Sequence, residues 1–134
     1  MIVVDSSVWI DYFNGKLTHQ TLFLRDEIDR REIVVGDLIL CEVLQGFRYN
    51  KDMMVARELL LGFQLRDMVG REIALKAAES YRILRARGIT VRKTIDVLIG
   101  TFCIHNGFSL LHDDRDFDAI EQLGLQVVKP TKPQ

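Results

Sequence analysis

The sequence predicts an α/β fold, three α/β/α layers built on a central parallel sheet of four to five strands. Short β-branched runs alternate along the chain with longer segments of helical spacing, the pattern in which helices connect parallel strands. A length of 134 residues suits one domain, 1–134, with one hydrophobic core. No repeat or low-complexity tract interrupts it, and Pro130 and Pro133 lie in the tail, so the interior lacks the punctuation of a linker.

Ile2 to Val4 reads as a buried strand, and Ser7 to Phe13 as a short helix closed by Asn14-Gly15. Leu17 to Arg30 has helical spacing, with Leu22, Leu24 and Ile28 on one side. Ile33 to Val35 is a second strand, stopped by Gly36-Asp37, and Asp37 is placed to cap the helix Leu38 to Phe47. Asp52 to Gly62 is helical, and Phe63 to Arg66 is a third strand. Ile73, Ala74, Ala77, Ala78, Tyr81 and Leu84 mark the apolar stripe of a long helix ending at Gly88. Thr94 is placed to cap the helix Ile95 to His105, whose apolar content predicts burial and which Asn106-Gly107 terminates. Phe108 to Leu111 is a strand, Asp116 to Leu123 a helix and Leu125 to Val128 a last strand, before a polar tail, Lys129 to Gln134, expected to fray.

Composition narrows the function classes. With 48% hydrophobic and 28% charged residues the chain is ordinary for a globular protein, and its wholly apolar stretches are far too short to span a bilayer. The start, Met-Ile-Val-Val-Asp, has no positive n-region and no long apolar segment, so a cytoplasmic protein is expected. Cys41 and Cys103 have no metal-ligand spacing and are expected to be buried and reduced. A net charge of −1 gives no global basic signature, although a local basic rim can bind nucleic acid on a near-neutral domain.

In parallel α/β sheets ligands bind beyond the carboxyl ends of the strands, near the point where strand order reverses. Asp5 follows the first strand directly, and Asp113 and Asp114 follow the fourth almost as closely. If those strands are neighbours, their acidic ends share one crevice. Two further acids interrupt apolar helices: Glu42 within Leu38-Ile-Leu-Cys-Glu-Val-Leu, and Asp96 within Thr-Ile-Asp-Val-Leu-Ile-Gly. Two like charges about 4 Å apart repel by roughly 4 kcal/mol at an effective dielectric of about 20. Carboxylates sharing a pocket therefore protonate, separate or bind a cation. An all-carboxylate set suits Mg²⁺ or Mn²⁺ rather than Zn²⁺, and such an ion, by acidifying water and neutralising charge on a phosphate, is equipped for phosphodiester hydrolysis. Each acid also has a local alternative: Asp5 and Asp114 with Asp116 as helix caps, Asp96 as a complement to the positive end of its helix. Glu42 has the weakest local alternative, since a lone acid on an apolar helix needs a partner.

At these residues the chain resembles the PIN-domain ribonucleases, and within them the VapC toxins of toxin–antitoxin pairs. The resemblance is carried in order by Val4-Asp5-Ser6-Ser7-Val8-Trp9-Ile10, Glu42-Val43-Leu44-Gln45-Gly46, Val91-Arg92-Lys93-Thr94-Ile95-Asp96 and His112-Asp113-Asp114-Arg115-Asp116-Phe117. It implies a PIN-like fold and an endoribonuclease in which Asp5, Asp96 and Asp114 hold one or two Mg²⁺ or Mn²⁺ ions. Glu42 would position or deprotonate the attacking water, completing a catalytic set of Asp5, Glu42, Asp96 and Asp114. Asp116 would support the site from behind the ligands, and Ser7 would orient Asp5 or a phosphate. It further implies a homodimer silenced by a VapB-like antitoxin, with RNA as substrate and no membrane partner. The double acid leaves Asp113 and Asp114 both open as the ligand, the motif register favouring Asp114.

Arg82, Arg85, Arg87, Arg92, Lys93 and Arg115 lead toward these acids, and Arg92 and Arg115 are the preferred phosphate contacts of a basic rim, the first three also reading as a solvated helix face. Trp9, Tyr12 and Phe13, with Leu59 to Phe63, read as core or as a groove for an antitoxin peptide or second copy. His19, His105 and His112 share no ligand spacing and carry no assigned chemistry. Two other functions compete. A phospho-accepting receiver would use Asp67 after the third strand and Lys129 after the last, leaving Glu42 and Asp96 unexplained. A housekeeping RNA-processing enzyme would share the site without toxicity.

Overall fold

In the computed structural model, which describes residues 1–30 and 32–131, Ile2–Val4 (β1), Ile33–Gly36 (β2), Gln64–Arg66 (β3), Ser109–Leu111 (β4) and Gln126–Val127 (β5) form one parallel sheet. The strand order is β3-β2-β1-β4-β5, so the chain builds outward on one side of β1 and then crosses to the other. The register pairs Val3 with Val34 and Leu110, all fully buried, which is why these strands are apolar on both faces. The expected parallel sheet is present, with five strands.

The connections are helical: Ser6–Phe13 (α1), His19–Glu27 (α2), Asp37–Gln45 (α3), Asn50–Leu61 (α4), Gly70–Ala86 (α5), Thr94–Asn106 (α6) and a single turn, Asp118–Glu121 (α7). Right-handed crossovers send the β1–β2 and β2–β3 connections to one face and the β3–β4 and β4–β5 connections to the other. The packing agrees, with α1 against α2 and α3, α3 against α4, and α5 against α6. Trp9, Ile39 and Leu60 fill the core on the first side, and Leu84, Ile99, Phe117 and Ile120 on the second. Trp9 is wholly buried in an aromatic group with Tyr12, Phe13 and Phe63, so the core reading holds for it, whereas Val55, Leu59 and Leu61 of α4 are exposed. Gly100 lets α6 lie close to α7, because a Cβ there would sit 2.7 Å from Ile120 Cγ2. Gly107, at φ 68°, ends α6 in the left-handed region as the Asn-Gly pair predicts.

Local capping differs from the sequence reading in four places. Thr18 caps α2 through a reciprocal pair with Thr21, their hydroxyls accepting from each other's backbone N–H at 2.9 and 3.0 Å, so the helix starts later than Leu17. Asp37 is the first residue of α3 rather than its cap, and its Oδ1 accepts from Leu38 N and from Met68 N across the sheet end. Thr94 is likewise inside α6, with Lys93 at the cap position and no side-chain cap bond. The helix expected over Asp116 to Leu123 is divided into a 3₁₀ turn, Arg115–Phe117, followed by α7, because Asp114 caps the turn. Cys103 is buried as expected, but Cys41 is exposed. The fraying expected of the tail falls partly on residues 132–134, outside the described residues. No helix among the described residues is long and apolar enough to cross a membrane.

Candidate active site

Strand order reverses between β1 and β4, and both strands end in acid-bearing loops. Asp5 N donates to Leu111 O at 2.9 Å, carrying the β1–β4 ladder one step past the strands. The Asp5 side chain caps α1: Oδ2 accepts from Ser7 N at 3.1 Å and from Ser7 Oγ at 2.7 Å. Ser7 Oγ in turn accepts from Asp113 N at 3.1 Å, so one hydroxyl ties the two loops together. Asp114 repeats the cap on the next loop, its Oδ1 accepting from Asp116 N at 2.9 Å, while its own N–H donates to His112 Nδ1. The capping reading and the clustering reading are thus both true of Asp5 and Asp114. Each cap uses one oxygen and leaves the other.

Two helices complete the group. Glu42, on the second turn of α3, accepts from Ser6 Oγ at 3.3 Å, which fastens it to the residue after Asp5. Asp96, in the first turn of α6, is 3% exposed, and its Oδ2 is buried with no hydrogen-bond partner among the described residues. Asp96, Asp114 and Asp116 each offer an oxygen, all within 4.8 Å of one another. Lys93 Nζ lies among them, 3.4 Å from Asp114 Oδ2, 3.6 Å from Asp96 Oδ2 and 3.9 Å from Asp116 Oδ2. Arg92 Nε stands 4.0 Å from Asp116 Oδ1, and Arg115 lines the same open groove with Thr90 and Arg92.

The electrostatics follow from depth. Burial raises the Asp5 carboxyl above its usual range against the hydrogen bonds from Ser7 and Ser6, and the charge of Asp114 adds to the rise. Burial raises Asp96 to about 7, opposed by Lys93 and reinforced by Asp5, Asp114 and Glu42. Glu42 is raised by burial and then by Asp5, against the Ser6 hydroxyl and Lys93. Asp114 goes the other way. Burial is outweighed there by the Asp116 N–H, the Lys93 ammonium and His112, which hold the carboxyl low. Burial would lower Lys93, but Asp96, Asp114 and Asp116 overcome it and keep the ammonium charged. Cys103, behind the site, is pushed up to about 12 by burial and then by Asp5, leaving it an inert thiol.

A divalent cation fits this donor set. The oxygens are hard and converge, one is buried and accepts no hydrogen bond among the described residues, and a side-chain cation already sits against three of the carboxylates.

A family model described as PIN domain matches residues 2–123. The chain belongs to the PIN-domain family. This PIN domain is 28% identical over 125 residues to Ribonuclease VapC11 of Mycobacterium tuberculosis, covering 92% of the chain and 93% of the relative. Its fold is similar to the crystal structure of VapBC2 from Rickettsia felis bound to a DNA fragment from their promoter, with a TM-score of 0.77, 16% identity, and 96% and 98% of the two chains covered. It is similar as well to a toxin-antitoxin complex from Klebsiella pneumoniae, with a TM-score of 0.72, 17% identity, and 99% and 100% covered.

In this PIN domain the four acids chosen from the sequence gather at one end of the sheet. The acids whose oxygens group within 4.8 Å of one another are Asp96, Asp114 and Asp116, so Asp116 stands beside Asp96 and Asp114, while the charge of Asp5 reaches Asp96 and that of Asp114 reaches Asp5. Asp114 rather than the exposed Asp113 points its carboxylate inward. Arg82 and Arg85 line a separate, largely apolar hollow between α5 and α6, with Tyr81, Val97 and Leu98. The sequence reading missed Ser6 and underrated Lys93. The Ser6-Ser7 pair and the i,i+3 spacing of Lys93 to Asp96 were the available signals. His112, given no role, accepts the Asp114 N–H and packs on Phe117. The receiver scheme fails on topology, because β3, which precedes Asp67, and β5, which precedes Lys129, are at opposite edges of the sheet.

Proposed function

We propose that this chain is a Mg²⁺- or Mn²⁺-dependent endoribonuclease, acting as the toxin of a toxin–antitoxin pair. The observation that carries the reading is the convergence of the Asp96, Asp114 and Asp116 carboxylates, with a buried Asp96 oxygen that, among the described residues, accepts no hydrogen bond and has only the Lys93 ammonium, 3.6 Å away, against it. The relatives' names, a VapC ribonuclease and toxin–antitoxin complexes, support the reaction class and the biological role. Asp5, Asp96 and Asp114, joined by Asp116, would hold one or two ions. A divalent ion supplies Lewis acidity there, making water easier to deprotonate and neutralising charge that develops on a phosphate.

The chain's own groups do the rest. Glu42, held by Ser6 and raised above an ordinary carboxylate, is suited to take a proton from the attacking water. Ser7 fixes the Asp5 carboxylate, and Arg92 and Arg115 on the rim meet the backbone of an RNA strand, contacts that weaken with salt. The same reading makes the chain a single domain that works in the cytoplasm as a homodimer and is silenced by a VapB-like antitoxin.

The test is incubation of the purified chain with structured RNA and Mn²⁺. Cleavage should vanish with chelator and fall by about 100-fold or more in Asp96→Asn. Undiminished cleavage by that variant overturns the assignment. Growth arrest on expression, relieved by a small protein encoded immediately upstream, separates a toxin from an RNA-processing enzyme.

A further inference from the structure

Lys93 reaches into the groove, and its ammonium pairs with the same three carboxylates whose oxygens group together, Asp96, Asp114 and Asp116. Its Nζ is 3.4, 3.6 and 3.9 Å from Asp114, Asp96 and Asp116, distances that describe one ammonium shared among three acceptors rather than locked to one. The side chain is 50% exposed, and Lys93 occupies the cap position of α6 without a side-chain cap bond. The polar contacts of its ammonium are these carboxylates. A four-carbon stem of this kind swings outward readily into the groove lined by Thr90, Arg92 and Arg115.

We propose that Lys93 is a tethered counter-ion that competes with the divalent ion for the Asp96, Asp114 and Asp116 oxygens. It holds the like-charged cluster together while the metal is absent, and it sets how tightly metal binds, because its charge must move away before a second cation can use those oxygens. The proposal rests on the metal reading above and assigns Lys93 a positioning role, distinct from the phosphate-binding rim.

The test is a Mn²⁺ titration of the full chain and of Lys93→Met and Lys93→Arg, followed by calorimetry and by the spin resonance of free Mn²⁺. Removing the half-exposed charge should tighten Mn²⁺ binding by about tenfold, whereas the arginine variant should stay within about threefold of the parent. Melting in chelator at pH 8 is the second readout: Lys93→Met should unfold at lower temperature than the parent, and saturating Mn²⁺ should close the gap. Equal or weaker Mn²⁺ affinity in Lys93→Met, with the parent binding normally, overturns the proposal alone. No Mn²⁺ uptake by either protein overturns the metal reading beneath it.

Discussion

The loops after β1 and β4 are built alike and behave oppositely. In each, an aspartate accepts from the backbone N–H two residues on and starts a helical turn. Yet Asp5 is buried and its carboxyl is raised, while Asp114 is part-exposed, lies beside Lys93 and is lowered. The cap geometry is identical in kind, so it does not decide the charge state. Depth and the neighbouring ammonium do. A fold can therefore set one motif to two electrostatic tasks by placing it at two distances from solvent and from one lysine.

The largest expected effect tests the depth term through pH. Asp96, as little exposed as Asp5, has its folded value raised to about 7 from an unfolded 3.8. A raised value means the folded state holds the proton more tightly, so this contribution is full below about pH 4 and is lost as pH rises toward 7, on the order of 4 kcal/mol in all. Asp5 and Glu42 act in the same direction, and Asp114 in the reverse, its contribution being present above its unfolded value and lost in acid. Melting of metal-free protein should show stability falling between pH 4 and 7. Saturating Mn²⁺ should cancel the fall, with proton release seen as buffer-dependent heats.

Next in size is a pair of isosteric changes. Asp5→Asn and Asp114→Asn should each reduce RNA cleavage by about 100-fold, since both carboxylates belong to the site. Their metal-free melting temperatures at pH 8 should move apart, Asp5→Asn upward and Asp114→Asn downward. A common direction would show that depth is not what separates the two loops. The smallest effect concerns the link between them: Ser7→Ala, which removes one hydroxyl serving both Asp5 and Asp113 N, should cost about 1–2 kcal/mol in denaturant unfolding.

The order of strands and helices, and the meeting of Asp5 with Asp114, were legible because apolar periodicity and strand-end position are local signals with one global solution. Asp37 and Thr94 were misread for a physical reason. An aspartate or threonine one residue inside a helix has the same sequence signature as a cap, and Met68 N, which draws Asp37, comes from the far end of another connection. The break between the 3₁₀ turn and α7 was hidden for the same cause, since Asp116 looks like a helix start until Asp114 is seen to cap it. Lys93 was indistinct among six basic residues, because sequence gives no depth and only its reach to three carboxylates sets it apart. Cys41 faces outward because α3 buries Ile39 and Val43 instead.

Gly100 stands one helical turn after Asp96 on α6, at the point where that helix meets Ile120. A single added methyl there would overlap a methyl of Ile120 and act as a wedge between the acid-bearing helix and α7. The carboxylate above would ride with it. The machining tolerance for Asp96 is thus the width of one carbon atom, held by a residue that carries no charge.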